Sequence, residues 1–316
     1  MMYDNFIFSL GSALPIFLVM FMGYVLKRRN IVDESFVRQA NTMVFNLALP
    51  IKLFSDVSKT SFAESFDWGF ILFVVIGTVV SVFIAALFAR FTVKNPEQKA
   101  AFIQGSFRGN FLYVGYSLME NVMGSVGTKA PIAIAFIVPL YNILAVMLFS
   151  YYGTEEKSEA SLKAVGKKIL KNPLIIAIII GFIFSSLNLS MPMVIDRTFS
   201  YFSVLVTPLA LLTIGASFKF QKIRESFTIS LIASMLKLVL LPLIAVYFAV
   251  QFGFQAEELL VIYIIFGVPT AAASYIMAIA LKGDHDLASG IIMLTTLLSN
   301  VTMTLFIFGF KTLGMI

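Results

Sequence analysis

Two short segments place helix-breaking residues and polar side chains inside otherwise apolar runs. Residues 105–110 read Gly-Ser-Phe-Arg-Gly-Asn, and residues 267–270 read Gly-Val-Pro-Thr. Glycine and proline interrupt helices, and an interrupted helix frees main-chain N–H and C=O groups that can bind a ligand. Arg108 can hold a carboxylate through two parallel hydrogen bonds, and Asn110 can donate or accept. These residue types predict a binding site for a small anion.

Two basic residues lie within apolar segments. Lys237 is in the middle of the apolar run 226–250, where a lysine must meet a carboxylate, carbonyl groups or water. Arg108 is the second, and its alternative role is to snorkel to the cytoplasmic headgroups. We expect at least one of the two to approach an anionic substrate. Lys52 and Asp56, four residues apart, are either a gating or coupling pair or a surface ion pair.

The composition places these segments in a lipid bilayer. Of 316 residues, 59% are hydrophobic and only 13% are charged, and the mean hydropathy is +0.93. So few polar side chains cannot cover a soluble globule, which excludes soluble enzymes, secreted scaffolds and disordered proteins. The net charge of +6 is typical of loops that face anionic lipid and does not indicate nucleic-acid binding.

Several kinds of chemistry lack the residues that they need. The chain has no cysteine and one histidine, His285, so thiolate and multi-histidine metal sites are excluded. No Gly-x-x-x-x-Gly-Lys-Ser/Thr run is present, which argues against an ATP-driven pump. The apolar segments hold no Ser/His or Asp/Asp constellation for an intramembrane enzyme. We therefore expect neither an enzyme nor a resident cofactor or metal.

Hydropathy predicts an all-α membrane protein with ten spans, each needing roughly 20 apolar residues. The predicted spans are 7–26, 38–56, 69–90, 98–121, 130–151, 173–190, 196–217, 226–250, 257–281 and 286–310. Sixteen basic residues lie in loops after odd-numbered spans and five on the other side. Because basic loops stay in the cytoplasm, both termini are predicted to be extracytoplasmic, in a protein of the plasma (cell inner) membrane.

The two halves of the chain share landmarks at a shift of 158 residues. Six pairs of Pro, Gly or Asn coincide: 15/173, 50/208, 23/181, 109/267, 30/188 and 142/300. Five spans per repeat is an odd number, so the second repeat must enter the membrane from the opposite side. We predict two inverted five-helix repeats, 1–152 and 173–316, joined by a cytoplasmic linker over 153–172. Spans four and nine are then the broken helices that meet at the substrate site.

Five segments resemble the auxin efflux carrier family over essentially the whole chain. They are GSFRGNFLYVGYSL (105–118), NLALPIKLF (46–54), TPLALLTIGASF (207–218), GVPTAAASYIMA (267–278) and TTLLSN (295–300). The resemblance implies a scaffold of helices 1, 2, 6 and 7 and a mobile transport domain of helices 3–5 and 8–10. It also implies transport of small organic anions such as malate or malonate. The family often has a proline shortly after the position of Gly115, where this chain has Ser117.

The sequence therefore predicts a secondary carrier, and the resemblance implies that it works by elevator-type alternating access. The predicted substrate-binding residues are Asn110, Arg108, Gly109, Gly267, Val268, Pro269, Asn142, Asn300, Ser274, Asn46 and Lys237. A sodium-coupled carboxylate or bile-acid-like symporter and a membrane receptor with the carrier fold are the alternatives. Both a coupled proton and coupled sodium are compatible with the sequence, as is a homodimer.

Overall fold

The computed structural model describes residues 15, 18–59, 67–125, 127, 129–152, 171–217 and 220–316. Apart from one isolated bridge, the regular structure in these ranges is helical. Five described helices are long and apolar enough to cross a bilayer: Trp68–Thr92, Ile132–Tyr152, Met193–Ala216, Ser226–Gln251 and His285–Thr312. The predicted all-helical membrane protein is confirmed, and the linker 153–172 lies almost wholly outside the described residues.

The first half of the chain contributes residues 18–28, which are helical, and a series of longer elements. In chain order these are α1 (Glu34–Met43), the wide turn π1 (Val44–Ala48), α2 (Leu49–Ser58), α3 (Trp68–Thr92), α4 (Pro96–Phe107), π2 (Phe111–Gly115), α5 (Tyr116–Met123) and α6 (Lys129–Tyr152). The elements α1, π1 and α2 form one continuous helix. The fourth predicted span is interrupted between α4 and π2.

The second half is also helical. Its elements are α7 (Pro173–Ser186), α8 (Met193–Ala216), α9 (Phe220–Met235), π3 (Leu236–Leu240), α10 (Leu241–Gln251), α11 (Ala256–Gly267), α12 (Ala273–Ala280) and α13 (His285–Thr312). The elements α9, π3 and α10 are continuous, and the ninth predicted span is interrupted between α11 and α12. The described helices lie at the predicted spans, but the count of ten membrane crossings stays a prediction.

Helix starts follow from capping residues in the sequence. Five N-cap side chains accept a main-chain N–H of the first turn: Asp33, Asp67, Asn95, Asn172 and Asp284. Asp and Asn are favoured there because the first N–H groups of a helix have no partner within it. Proline at the first position of α4 and of α7 needs no such partner.

Two of the wide π turns end just before a proline. Pro50 follows π1 and Pro242 follows π3, each as the second residue of the next α-helix. Proline lacks an N–H, and its ring collides with the carbonyl four residues earlier in a regular α-helix. The wider turn gives that carbonyl room, so the helix continues through the proline.

Corresponding segments of the two halves end in the same way. Asn30 and Asn188 both have positive φ, 57° and 51°, and each closes the helix before it. Each donates its N–H to the carbonyl three residues earlier. The helix at 18–28 packs closely on α8, since a Cβ on Gly23 would collide with the carbonyl of Leu212. Correspondingly, Gly181 of α7 lets that helix approach α2.

Contacts between side chains at the helix ends define two groups of helix ends. Gln98 donates to Asp284 at 3.0 Å, so the start of α4 lies beside the start of α13. At another group of helix ends, Lys129 forms ion pairs with Asp67 at 3.1 Å and Glu258 at 2.8 Å. The positive-inside count predicts that the first group faces the cytoplasm and the second the outside.

The ion pairs of Lys129 shift the pKa values of their members. The Phe70 N–H and then the Lys129 ammonium lower the pKa of Asp67 from its ordinary value of 3.8. Burial alone would lower the pKa of Lys129, but its hydrogen bonds to Glu258 and Asp67 outweigh this, and the pKa lies above 10.5. The three charged groups therefore stabilise one another and connect α3, α6 and α11 at their ends.

Candidate functional site

The interruptions of the two broken helices meet directly. We call residues 108–110 and 268–272 together the paired breaks. The Asn110 N–H donates to the Pro269 carbonyl at 2.7 Å, and Gly109 and Thr270 form an antiparallel bridge. The Ala271 N–H lies 3.4 Å from the Arg108 carbonyl oxygen. Non-helical main chain at this depth is tolerated because each break supplies hydrogen-bond partners for the other.

Side chains from neighbouring helices satisfy other carbonyl and N–H groups at the breaks. The Thr270 hydroxyl donates to the Gly105 carbonyl of α4 at 2.7 Å, and the Thr270 N–H donates to the Thr295 hydroxyl at 3.1 Å. The Tyr141 hydroxyl donates to the Ile265 carbonyl of α11 at 3.0 Å. Thr270, Thr295 and Tyr141 are not among the predicted site residues. The feature of the sequence that could have identified them is a hydroxyl side chain within an apolar span.

Arg108 is buried at the end of α4, with 4% of its surface exposed. Its guanidinium donates to the side-chain oxygen of Asn142 at 3.1 Å and to the sulfur of Met277 at 2.9 Å. Within the described residues, no carboxylate lies within ion-pair distance of this guanidinium. Burying a cation without an anion is costly, so this arrangement favours the arrival of an anion.

The side chain of Asn110 is available for a ligand. Its main-chain N–H is taken up by Pro269, but its side-chain amide makes no hydrogen bond to any described residue. The residue is half-buried, and it immediately precedes π2, where unpaired N–H groups of a new helical segment begin. An amide in this position can donate to a carboxylate or accept from a hydroxyl.

A small cavity of about 60 Å³ lies beside the paired breaks. Its wall includes Arg108, Gly109, Asn110 and Phe111 from the first break and Ala271, Ala272 and Ala273 from the second. The remaining wall residues are Leu49, Lys52, Leu53 and Asp56 of α2, Val138 and Tyr141 of α6, and Val206 and Thr207 of α8. The cavity thus lies between the paired breaks and the α2 and α8 helices.

Lys52 and Asp56 bring an ion pair to this cavity. Their side chains are 3.1 Å apart and largely buried, with 15% and 25% of their surfaces exposed. The sequence left open whether this pair lies at the surface or in the transport path, and the structure places it in the cavity wall. With Arg108, the ionised side chains of the wall carry a formal charge of +1.

The other predicted site residues are distributed around the breaks. Asn142 positions the Arg108 guanidinium and donates to the Val138 carbonyl. Gly109 and Pro269 lie at the point where the breaks meet. On one side of this point are Gly267, the last residue of α11, and its cap Val268. On the other side is π2. Ser274 is buried in the first turn of α12, and its hydroxyl has no hydrogen-bond partner among the described residues.

Of the predicted site residues, only Arg108, Gly109 and Asn110 line the cavity, and Asn46, Asn300 and Lys237 are three of the eight that do not. Asn46 is exposed and donates to the Thr42 carbonyl within its own helix. Asn300 donates to the Leu297 carbonyl of α13. Lys237 is fully buried behind the breaks, with its ammonium on main-chain carbonyls. Lys237 therefore does not face the cavity in which we expect the substrate.

Broken membrane helices that meet around a polar cavity are typical of membrane transporters. Comparison with known proteins identifies the family: the model of the family described as membrane transport protein matches residues 8–307, and the chain belongs to this family. The resemblance to the auxin efflux carriers is thereby confirmed.

Similar proteins occur in bacteria and archaea. The chain is 28% identical to a putative malonate transporter of Rhizobium meliloti, over 93% of each chain. It is 25% identical to an uncharacterized transporter of Methanothermobacter thermautotrophicus, over 95% of this chain and 98% of the relative. An uncharacterized transporter of Escherichia coli, YfdV, is 26% identical over 86% of this chain and 88% of its own length.

Proposed function

We propose that the protein is a secondary carrier of small organic anions and that the substrate carboxylate binds in the cavity beside the paired breaks. The observation that carries this proposal is the buried guanidinium of Arg108, which lines the cavity and has no carboxylate partner among the described residues. An anionic substrate supplies the missing charge. Asn110 supplies an amide for the same ligand.

Helix dipoles add to the positive potential of the cavity. The second half of each broken helix begins at its wall, at Phe111 in one case and at Ala273 in the other. A helix N-terminus carries about half a positive charge. Two such termini and the formal side-chain charge of +1 suit a substrate with one or two carboxylates. The similarity to a putative malonate transporter supports a dicarboxylate.

The size of the cavity requires a conformational change for transport. A volume of about 60 Å³ is well below the roughly 300–1,000 Å³ of typical small-molecule pockets, so the cavity must widen to hold a dicarboxylate. The wall is shared between α2 and α8 on one side and the paired breaks with α6 on the other. We propose that these two sides move apart to admit the substrate, as elevator-type alternating access requires.

The same proposal includes an inverted repeat with both termini outside the plasma membrane. The matching helix ends at Asn30 and Asn188 and the interruption of one helix in each half support the repeat. In that arrangement the first, second, sixth and seventh predicted spans form the scaffold. The third to fifth and the eighth to tenth predicted spans form the domain that moves. Residues 1–152 and 173–316 are then the two repeats.

Ligand-induced stabilisation of the purified protein tests the function. Malonate, malate and acetate are added separately, and malonamide serves as the uncharged analogue of malonate. A ligand at 100 times its Kd stabilises the folded state by about 2.7 kcal/mol, so the matching acid raises Tm and malonamide does not. The stabilising acid should then be taken up by proteoliposomes. If no acid raises Tm and none is taken up faster than by empty liposomes, the organic-anion proposal is wrong.

A further inference from the structure

Lys237 connects the two broken helices at the side away from the cavity. It lies in π3, and no part of it is exposed. Its ammonium donates to the carbonyl oxygens of Phe107 at 3.3 Å, Ile265 at 3.1 Å and Phe266 at 2.9 Å. Phe107 ends α4, and the other two carbonyls belong to the last turn of α11. One side chain therefore binds the C-terminal ends of both half-helices.

The three carbonyl oxygens around the nitrogen favour an ammonium ion. An ammonium has three N–H donors and no acceptor, and here it meets three carbonyl acceptors. A neutral amine would direct its lone pair at one of these oxygens. The charges also match, because each helix C-terminus carries about half a negative charge and two of them balance one positive charge.

In carriers with broken helices, unwound carbonyls and half-helix C-terminal ends are the groups that coordinate a coupling cation. We propose that the Lys237 ammonium permanently occupies the place of such a cation, so that the paired breaks bind no sodium there and anion transport proceeds without sodium. The part of this inference that concerns transport rests on the proposed function.

The close packing around Lys237 is consistent with a side chain that stays in one position. A Cβ on Gly109 would lie 3.1 Å from the Lys237 nitrogen and 2.9 Å from a methyl carbon of Val268. The glycine therefore allows the ammonium to approach the point at which the breaks meet. Lys237 acts as a positioning residue, because its contacts are with the main chain of the half-helices and not with the cavity.

The first experiment asks whether an added cation can replace the side chain. Lys237→Ala removes the three outer carbons and the nitrogen, which together correspond to n-propylammonium. Tm is measured for the wild type, for Lys237→Ala and for the exposed control Lys94→Ala, each with n-propylammonium or with neutral n-propanol. We expect a large drop in Tm for Lys237→Ala alone and partial recovery with n-propylammonium only. An unchanged Tm in this variant, or equal recovery with n-propanol, would overturn the inference.

The second experiment uses the wild type and does not depend on a variant that folds. Tm is compared in sodium, potassium and choline chloride at equal ionic strength, and uptake of labelled malonate into proteoliposomes is measured in the same salts. We expect Tm values within about 1 °C and uptake rates within about twofold. A specific rise in Tm with sodium, or uptake that needs a sodium gradient, would overturn the inference. Failure of malonate, malate and acetate alike to bind or be taken up would contradict the proposed function instead, and the Tm comparison in the three salts would still test whether sodium binds at the paired breaks.

Discussion

The main-chain N–H of Asn110 donates a 2.7 Å hydrogen bond to the carbonyl oxygen of Pro269, and this bond joins broken helices from opposite halves of the chain. Both residues lie outside regular helix, where their main-chain groups need partners. Because each break satisfies the other, the side chain of Asn110 is left for a ligand. The bond also connects α4 and α11 so closely that we expect them to move together.

Neutralising Arg108 should weaken the binding of organic acids. In Arg108→Gln the buried charge is lost while a hydrogen-bonding side chain stays. A hydrogen bond to a charged group contributes about 1.5–3 kcal/mol, so we expect about a 10- to 150-fold loss of affinity for the stabilising acid. Arg108→Lys should recover only part of it, since lysine cannot bind a carboxylate through two parallel N–H groups. Titration of the Tm shift against acid concentration gives each affinity.

Arg197→Gln is the matched control for this variant. Arg197 is exposed in the first turns of α8, so removal of its charge should leave affinity unchanged. Wild-type affinity in Arg108→Gln would remove the guanidinium from the site and leave the helix N-termini as the source of anion selectivity.

Two asparagine variants distinguish a residue of the cavity wall from one on the helix surface. Asn110→Ala should cost about 1–3 kcal/mol of binding, or about 5- to 150-fold in affinity, because the lost amide leaves a substrate group unpaired. Asn46→Ala should change affinity by less than about twofold, since Asn46 is exposed and bonds within its own helix. Equal losses in both variants would show that the substrate contacts π1 as well.

The positions of the breaks could be predicted from the sequence, but the roles of the two buried cations could not. Gly109 and Pro269 act locally on the main chain, so the interruption of each helix follows from residue type. The destinations of Arg108 and Lys237 depend on which neighbour supplies an acceptor. The sequence predicts that at least one of the two approaches the substrate, and the structure directs Lys237 to main-chain carbonyls 28 and 29 residues away along the chain in α11.

The cavity shows the same limit of sequence analysis. Lys52 and Asp56 are four residues apart, which predicts their ion pair, but burial beside Arg108 depends on the packing of α2 against the breaks. A local spacing rule cannot distinguish a surface pair from one in the wall of a binding site. Asn46 is the converse case, a polar residue within an apolar span that bonds to its own helix.

The Lys52–Asp56 pair should set the charge preference of the cavity. Asp56→Asn removes a negative charge from the wall and releases Lys52, so we expect tighter anion binding, by on the order of 1 kcal/mol or about fivefold. Lys52→Gln leaves Asp56 uncompensated and should weaken binding by a similar factor. Isothermal titration with the stabilising acid measures both. Changes of the same sign in the two variants would show that the pair acts through structure and not through charge.

The ion pairs of Lys129 predict a pH dependence of stability. The folded-state pKa of Asp67 is lowered, so its contribution is present above its ordinary pKa of 3.8 and is lost as the pH falls through the folded value. The pKa of Lys129 is raised, so its contribution is present below 10.5 and is lost as the pH rises through the folded value. Between these limits Asp67 and Lys129 are both charged.

Asp67→Asn isolates the charge, since Asn caps a helix about as well as Asp. For an exposed pair we expect a loss of about 0.2–1 kcal/mol at pH 7, which shrinks only below about pH 4. Asp67→Ala should cost about 1 kcal/mol more, because the cap on Phe70 is lost too. A constant difference between Asp67→Asn and the wild type from pH 7 to pH 3 would contradict this assignment. Tm measured at each pH gives the comparison.

Single cysteines test the orientation of the chain in the membrane. The protein has no cysteine, and Lys94 and Arg197 are both exposed, so Lys94→Cys and Arg197→Cys each offer one accessible thiol. Sixteen basic residues lie on the side of Lys94 and five on the side of Arg197, which predicts that Lys94 is cytoplasmic. A membrane-impermeant maleimide added to intact cells should label Arg197→Cys only, and both variants should be labelled after permeabilisation. Labelling of Lys94→Cys alone from outside would reverse the orientation, while labelling of both would contradict the placement of Lys94 and Arg197 on opposite sides of the membrane.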